Sequence, residues 1–472
     1  MTDWLAPAIA YLPQWLDYQI AQLGLPGASF ALARGGEVVL AHAVGVADIT
    51  SAEPLTPAHR FRVASHSKTF TAVGILRLIE AGRLRLDDRA GTHVAGLHPD
   101  IAGATIGQLL SHTAGITRDG DDAGQWLGRR PFLDEADLRA ALAEAPTIPA
   151  NTRMKYTNHG FGLLGLVIAA TTGEPYNTWI AREVVARAGL ADTWPDTPLP
   201  TPAPLAHGHA APALLGVRYV VPADTSTHAL ASATGFVSTP ADLTRFFGQL
   251  TTQSASTVLS LESRRELARP WWRIQGLPNR HYGLGTAHGE TGDWTWFGHG
   301  GGFPGVRSFT IVLPAQTLSL SLCLNATDGE PQTMIENAVR ILQTFAANGP
   351  PDTALADWSG RYWSLWGATD FVPVAGKILL GQPSQPNPFA EATELTPDSP
   401  DSAKITKANG YGSFGQSAHL IRSTTGQVTE IHFAGSRLKH QAAAAAEARG
   451  RYCGEGKQGS KAGALPLDPA GG

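Results

Sequence analysis

A serine and a lysine three residues apart, Ser65 and Lys68, lead into a helical stretch that runs on to Ala81. Residues i and i+3 lie on one face of a helix, so the hydroxyl of Ser65 and the amine of Lys68 can meet. The pair offers a nucleophile beside a possible base, and a helix start favours negative charge there. The same spacing also fits a capping serine before a solvated lysine, so the interpretation depends on the rest of the chain.

A second candidate group is formed by Tyr156 and Asn158, which precede a strongly apolar helix predicted from Phe161 to Ala170. We expect both residues in a loop, where side chains two positions apart can point into one cleft. A tyrosine beside a lysine ammonium can hold a lowered pKa and relay protons to and from a serine hydroxyl. By itself the tripeptide Tyr156-Thr157-Asn158 is weak evidence for a site.

The third candidate group is a glycine run that begins with His299 and contains Gly300, Gly301, Gly302 and Gly305. Three of these glycines satisfy a G-x-G-x-x-G pattern, but residues 306–312 read as a strand where a dinucleotide site needs a helix. The run instead predicts a strand edge without side chains, which a substrate carbonyl can approach. His299 would be a polar donor beside that edge.

Other histidines and the cysteines fit structural roles better. His112 could be a base, but a loop histidine held by hydrogen bonds is the simpler interpretation. His207 and His209 have no carboxylate or further histidine immediately beside them, which favours a solvated loop over a metal site. The two cysteines, Cys323 and Cys453, indicate neither a disulfide framework nor a thiolate site. We expect no metal and no cofactor.

The elements that must position these groups follow from hydrophobic periodicity. The chain begins with a predicted helix and a β-hairpin, and its strand candidates between residues 293 and 324 precede a helix over 333–345. Such an order implies an antiparallel sheet whose termini meet, with the helical middle as a second lobe. The predicted fold class is α/β, of the α+β kind: an antiparallel sheet flanked by helices plus a helical lobe, followed by a small all-β domain.

The domain limits are predicted from composition. Asn348-Gly349-Pro350-Pro351 reads as a linker, and short β-like runs follow it. We therefore expect a catalytic domain over residues 1–348, a small β-barrel over 352–440 and a disordered or loosely helical tail over 441–472.

Composition narrows the possible partners and the location. The 472 residues are 43% hydrophobic and carry a formal charge of -4, which leaves no basic field for a nucleic-acid backbone. No stretch of about 18 apolar residues predicts a membrane span. The acidic N-terminus lacks a secretory pattern, so cytoplasmic residence is expected, with a periplasmic location if a leader had been removed. The expected partner is a small-molecule or short-peptide substrate, and the oligomeric state stays unknown.

Taken together, Ser65-x-x-Lys68, Tyr156-x-Asn158 and His299-Gly300-Gly301 resemble, in order and spacing, the motifs of the penicillin-recognising serine enzymes. The chain is similar to the branch that holds class C β-lactamases, D-alanyl-D-alanine carboxypeptidases, D-aminopeptidases and related esterases. The likeness covers about residues 8–345. The segment after Pro351 resembles the lipocalin-like domain that follows the catalytic domain in several of these proteins.

The resemblance implies a role for each motif residue. Ser65 would be the acylated nucleophile and Lys68 its base, while Tyr156 would carry the proton to the leaving group. Asn158 would bind the substrate amide within a site completed by Gly300, Gly301 and Gly302. The backbone N–H groups of Ser65 and Gly302 would form the oxyanion hole. The implied reaction is acyl transfer through a covalent acyl-enzyme.

His299 bears on the substrate, because many relatives have lysine at this place. The histidine form resembles D-aminopeptidases, esterases and penicillin-binding-protein-type peptide cyclases, so efficient β-lactam hydrolysis is in doubt. We expect a serine hydrolase acting on a small ester, an amide or a D-residue-containing peptide. The alternatives are a thioesterase-like peptide cyclase, a β-lactamase, and a non-catalytic binding protein, which would be expected to have lost Ser65, Lys68 or Tyr156.

Overall fold

The computed structural model describes residues 4–255, 257–409 and 412–453. The chain divides into two compact units, Leu25–Ile335 and a second unit made of Met1–Gly24 with Glu336–Gly472. The helices of the described residues are α1 (Leu5–Leu23), α2 (Ser67–Glu80), α3 (Pro99–Ala102), α4 (Ile106–Leu110), α5 (Glu135–Ala143), α6 (Asn158–Thr172), α7 (Tyr176–Ile180), α8 (Pro240–Gln249), α9 (Leu261–Leu267), α10 (Pro331–Asn348) and α11 (Gln441–Tyr452).

The first unit contains an antiparallel sheet and two short ribbons. Its strands are β1 (Gly27–Arg34), β2 (Glu37–Asp48), β3 (Glu53–Pro54), β4 (Phe61–Arg62), β5 (Gly208–His209), β6 (Val220–Val221), β7 (Val237–Ser238), β8 (Trp272–Arg273), β9 (His281–Tyr282), β10 (Ala287–Thr291), β11 (Trp294–Phe303), β12 (Val306–Leu313) and β13 (Leu318–Leu324). Nine strands pair in the order β3-β2-β1-β13-β12-β11-β10-β9-β8, while β4 pairs with β7 and β5 with β6. The first and last strands of the unit thus meet at the centre of the sheet, as predicted.

The centre of the sheet is buried because β1 and β13 carry almost continuous apolar or small side chains. Helix α8 packs against both strands, and the Ser319 hydroxyl donates to the Thr244 carbonyl at 2.9 Å. Thr239 caps this helix by accepting from the Asp242 backbone N–H, as the sequence predicts. Strand β11, which carries the glycine run, lies between β10 and β12 in the same sheet.

The helical lobe of the first unit is built around α2, which is buried along most of its length. The ring of Phe70 stacks on those of Phe236 and Phe246, with centroid distances of 4.2 and 3.9 Å. Helix α6 packs against α2 and is apolar nearly all round, as a helix in the middle of a lobe must be. These contacts fix the start of α2, where Ser65 and Lys68 lie.

The second unit contains a closed barrel of eight antiparallel strands: β14 (Gly360–Ser364), β15 (Gly367–Val374), β16 (Lys377–Gly381), β17 (Thr393–Ser399), β18 (Ser402–Lys407), β19 (Ser417–Arg422), β20 (Val428–Phe433) and β21 (Ser436–Lys439). Consecutive strands pair, and β21 closes on β14. Trp358, Tyr362 and Phe371 are fully buried in its core. The predicted fold class is confirmed, including the all-β C-terminal domain.

Helix α1 belongs to the same unit as the barrel. Its Tyr11 hydroxyl donates to Asp370 Oδ2 at 2.8 Å, and Gln19 Nε2 donates to the Pro383 carbonyl at 2.5 Å. The domain boundary predicted after residue 348 stays a prediction. The predicted tail begins as helix α11, the helical one of the two alternatives, because alanine favours a helix. Residues 454–472 lie outside the described residues. Among the described residues, no helix combines the length and apolar character needed to cross a membrane.

Candidate active site

Ser65 lies in a tight 3₁₀ turn, Ala64–His66, immediately before α2. Ala64 has a φ of +46°, a conformation that side chains rarely adopt and that the surroundings must hold in place. Ser67 does so from within the helix, because its hydroxyl donates to the Ala64 carbonyl at 2.5 Å and accepts from the Phe236 N–H at 3.0 Å. Ser67 is therefore fully occupied in positioning the turn that presents Ser65.

Lys68 is fully buried beneath Ser65. Its Nζ lies 3.1 Å from Ser65 Oγ, 2.7 Å from Asn158 Oδ1 and 2.8 Å from the Ala233 carbonyl oxygen. Burial lowers the pKa of Lys68 well below that of an ordinary lysine. A neutral amine in this position donates to the Asn158 and Ala233 oxygens and turns its lone pair to Ser65, which is the arrangement of a general base.

Tyr156 lies on the other side of Ser65, and its hydroxyl is hydrogen-bonded to the Ser65 side chain. The Lys68 ammonium nitrogen lies 4.8 Å from the centroid of its ring. The lowered pKa expected from the sequence was wrong, because burial outweighs the neighbouring charges and raises the pKa of Tyr156. The phenol therefore keeps its proton near neutral pH, which suits a proton donor.

Asn158 is the first residue of α6, where the sequence analysis expected a loop. Thr157 is the helix cap, and its hydroxyl accepts from the Gly160 N–H at 2.9 Å. The amide of Asn158 is held at both ends, since its Oδ1 accepts from Lys68 while its Nδ2 donates to Asp119 Oδ1 at 2.7 Å. The rigid helix start, together with Asp119, fixes the Asn158 side chain.

Asp119 was missed as a site residue by the sequence analysis. It is buried, and its Oδ1 also accepts from Trp126 Nε1 at 3.0 Å, while Oδ2 lies 3.3 Å from Arg118 Nε. The only local signal was an acid shortly after the turn at Gly115. A line of hydrogen bonds therefore runs from the Lys68 amine through Asn158 and Asp119 to an indole.

His299 lies on β11 and uses both ring nitrogens. Its Nδ1–H donates to the Gly300 carbonyl at 2.6 Å, and its Nε2 accepts from the Tyr282 hydroxyl at 2.8 Å. Burial, with smaller effects of His66 and Lys68, lowers the pKa of His299 to about 3. The ring is neutral at physiological pH, so it cannot replace the positive charge of a lysine. Tyr282, on β9 two strands away in the same sheet, is a second contact that the sequence analysis missed.

The glycines after His299 bring strand and turn together. A Cβ on Gly301 would lie 2.1 Å from the Val63 carbonyl oxygen, and one on Gly300 would lie 2.9 Å from the Phe309 ring. A Cβ on Gly302 would meet nothing within 4 Å. Gly301 allows β11 to pack against the Ser65 turn, Gly300 leaves room for the Phe309 ring of β12, and Gly302 leaves open space beside the strand.

Three further histidines are held as structural residues. His112 has a φ of +59°, its Nδ1 accepts from the Thr157 N–H at 3.2 Å, and its ring centroid lies 4.2 Å from that of Tyr156. His66 bonds the Val63 carbonyl and the Thr310 hydroxyl, both at 2.9 Å. His209 bonds the Asn325 carbonyl and the Ile49 N–H.

The predicted residues come together in one cleft of about 610 Å³. Its lining includes Ser65, Tyr156, Asn158, His299, Gly300, Gly301 and Gly302, with Lys68 buried behind Ser65. Charged side chains at its edge are Arg118, Asp119, Arg307 and Glu330. The arrangement has the groups needed for acyl transfer: a nucleophile, a buried base, a protonated phenol and an open backbone edge.

The family model described as Beta-lactamase matches residues 12–344. The chain belongs to the Beta-lactamase family. Penicillin-binding protein 4* of Bacillus subtilis (strain 168) is 30% identical to this family member over 167 residues, which cover 34% of the chain and 36% of that protein. The match thus spans about a third of the length of the curated relative.

Two solved structures share the fold of this Beta-lactamase family member. The crystal structure of SurE has a TM-score of 0.61 and 23% identity, covering 93% of this chain and 100% of that one. The D-stereospecific amidohydrolase from Streptomyces sp. has a TM-score of 0.59 and 26% identity, covering 69% of this chain and 97% of its own. The first therefore matches the chain over both compact units.

Proposed function

We propose that this chain is a serine hydrolase that forms a covalent acyl-enzyme on Ser65 with a small ester, an amide or a D-residue-containing peptide. The observation that carries the proposal is the environment of Lys68. Its amine is buried, donates to two fixed acceptor oxygens, and has its lone pair left to face Ser65 Oγ, 3.1 Å away. Burying an amine in this way costs folding free energy, so the arrangement indicates a functional role.

In the proposed acylation, neutral Lys68 takes the proton of Ser65 as Oγ attacks the substrate carbonyl. The backbone N–H groups of Ser65 and Gly302 would hold the oxyanion, which is worth several kcal/mol in such sites. When the bond to the leaving group breaks, Tyr156 gives that group its proton and is reprotonated by the Lys68 ammonium. Water then attacks the acyl-enzyme, and the same groups return Ser65 to its resting state.

The preference for D-residue amides over β-lactams is supported by two observations. The D-stereospecific amidohydrolase from Streptomyces sp. is 26% identical over 69% of this chain. His299, which bonds Tyr282 and Gly300, is neutral and offers no cation to a substrate carboxylate of the kind that β-lactams carry. β-Lactam hydrolysis is therefore the weaker alternative.

The decisive experiment is labelling with a fluorophosphonate followed by intact-mass measurement, next to a panel of D- and L-amino-acid amides and p-nitrophenyl esters. We expect one label per chain, located on Ser65 and absent from Ser65→Ala protein. Folded protein that takes no label and turns over none of the panel would contradict the proposal. A linear peptide thioester in the same panel tests the peptide-cyclase alternative, since only a cyclase returns a macrocycle.

A further inference from the structure

An apolar groove adjoins the candidate active site at Trp126. Its volume is about 970 Å³, larger than the catalytic cleft, and Trp126 lines both spaces. Phe303, which directly follows the glycine run, also lines the groove. The groove and the cleft therefore adjoin at Trp126, next to the end of the open backbone edge.

The lining of the apolar groove is mostly aromatic and aliphatic. The rings of Phe132 and Phe303 stack with centroids 5.8 Å apart, and Trp126 meets both rings edge-on. Leu127 and Leu214 also line it and are 70% and 76% exposed. Single exposed leucines are ordinary, but a group of them over an aromatic floor is typical of a binding surface.

A polar group in the same groove indicates what kind of apolar ligand fits. Gln125 is 3% exposed and lines the groove, and its Oε1 accepts from Arg130 Nε at 3.2 Å. Its Nε2 is buried and has no hydrogen-bond partner among the described residues. A buried amide donor without a partner is costly unless a ligand carbonyl pairs with it. A peptide supplies such a carbonyl, and a plain hydrocarbon chain does not.

The position of the groove indicates which part of the substrate enters it. The leaving group must face Tyr156, whose hydroxyl bonds Ser65. Trp126 instead bonds Asp119, which holds the Asn158 amide. The groove thus begins on the side of Asn158, the proposed ligand of the amide in the acyl portion.

We propose that the apolar groove binds the distal part of a peptidyl acyl group with apolar side chains. This inference rests on the proposed function and deepens it: the preferred substrate is a peptide of several residues, larger than a single amino-acid amide. A groove of this volume accommodates a ligand of drug size in addition to the residue in the cleft.

The test compares p-nitrophenyl esters that share a leaving group: N-acetyl-D-Phe, N-acetyl-Gly-Gly-D-Phe, N-acetyl-Leu-Leu-D-Phe and decanoyl. We expect kcat/KM to rise about 30-fold from the first ester to the Leu-Leu ester, and less than about threefold for Gly-Gly. Equal rates for the Gly-Gly and Leu-Leu esters would overturn the proposal. A decanoyl ester that matches the Leu-Leu ester would overturn the peptide as occupant.

The chain offers a matched pair of variants for the groove. Leu214→Asp places a charge on its wall and should lower kcat/KM for the Leu-Leu ester about fivefold, with N-acetyl-D-Phe unchanged. Leu215→Asp is the control, because Leu215 is 64% exposed and does not line the groove. Equal losses on both esters, or equal effects of both variants, would contradict the inference.

A binding measurement separates failure of the groove from failure of the proposed function. In calorimetric titrations of Ser65→Ala protein, N-acetyl-Leu-Leu-D-Phe amide should bind at least about tenfold more tightly than N-acetyl-D-Phe amide. Leu214→Asp should reduce that difference about fivefold. This result would support the groove even if no ester acylates Ser65, and equal affinities would contradict it even if the esters are turned over.

Discussion

Two buried charge-bearing side chains are satisfied in opposite ways: Asp370 in the unit that holds the barrel (the barrel unit) and Lys68 in the unit that holds the candidate active site (the catalytic unit). In the barrel unit, Asp370 is buried with a bidentate partner: Arg361 donates to its two oxygens at 2.6 and 2.9 Å, and Tyr11 adds a third bond at 2.8 Å. In the catalytic unit, the hydrogen-bond partners of Lys68 are all uncharged. The first group is stabilised as an ion, and the second is held as a neutral base.

The difference between the two groups shows which of them can act as a base. A buried carboxylate held by a guanidinium and three hydrogen bonds is stabilised as the anion and is a poor proton acceptor, so it contributes to structure. A buried amine with no charged hydrogen-bond partner has a lowered pKa and, once neutral, a free lone pair. Four predictions test this contrast, from the largest expected effect on activity to the smallest.

Lys68→Met should have the largest effect. Loss of the base should slow acylation of Ser65 by about 10³-fold or more, because the serine hydroxyl then has no proton acceptor. The unfolding temperature should change little, since relief of the buried amine offsets the loss of its hydrogen bonds to Asn158 and Ala233. Fluorophosphonate labelling rates and thermal unfolding measure the two effects, with Lys155→Met as the control lysine, whose Nζ donates to the Ile116 carbonyl. Labelling of Lys68→Met within tenfold of wild type would refute the role of Lys68.

Asp119→Ala should lower kcat/KM about 30-fold, because the Asn158 amide loses the acceptor that fixes its orientation. Asp119→Asn should restore part of the rate, since it keeps an acceptor oxygen. The charge of Asp119 raises the pKa of Lys68, so its removal should move the rise of the rate with pH to lower pH. Asp122→Ala is the control, with a carboxylate that is 61% exposed in the same loop. A rate loss without a shift of the pH profile would assign Asp119 to structure alone.

The pH dependence of acylation should be controlled by Lys68. The base acts when neutral, so the rate should rise as pH rises through its pKa, which lies well below the usual lysine value of 10.5. His299 has a pKa of about 3 and should add no inflection between about pH 5 and 8. The logarithm of kcat/KM against pH, compared between wild type and His299→Gln, measures this. A histidine-like inflection that disappears in His299→Gln would contradict a neutral ring.

Asp370→Asn should have the smallest effect on catalysis and a clear effect on stability. Removing the carboxylate charge leaves the guanidinium of Arg361 without its ion partner, at an expected cost of about 2 kcal/mol in the free energy of unfolding. Urea unfolding should show the loss, while the Ser65 labelling rate stays within about twofold. Asp398→Asn, on the exposed side of β17, is the control. An equal loss of stability in both variants would remove the contrast between the two units.

The sequence predicted much of the fold because the signals are local. Alternating and apolar runs predicted the hairpin, the strands up to residue 324 and the following helix, and all of them occur with ends shifted by a few residues. Asn158 was misplaced into a loop, because Thr157 caps a helix that begins three residues before its apolar run. For the tail the sequence left a disordered and a loosely helical segment open, because an alanine run without an apolar face gives little periodicity but a high helix propensity.

The residues of the candidate site also divide into those that the sequence predicted and those that it did not. Ser65, Lys68, Tyr156, Asn158 and His299 could be named from the sequence, because their residue types and short spacings carry the chemistry. Neither Asp119 nor Tyr282 could be named from the sequence, since each acts through a partner that is distant in the chain.

The amino-acid sequence by itself determined which residues could react and in what order they occur along the chain. Only the tertiary structure decided their protonation, because the pKa of Lys68, Tyr156 and His299 depends on how completely distant segments bury them. The apolar groove beside Trp126 has the same origin, since its walls come from four separate stretches of chain. Desolvation and cavity shape depend on how segments of the chain pack together, and the local spacing of residues in the sequence does not determine that packing.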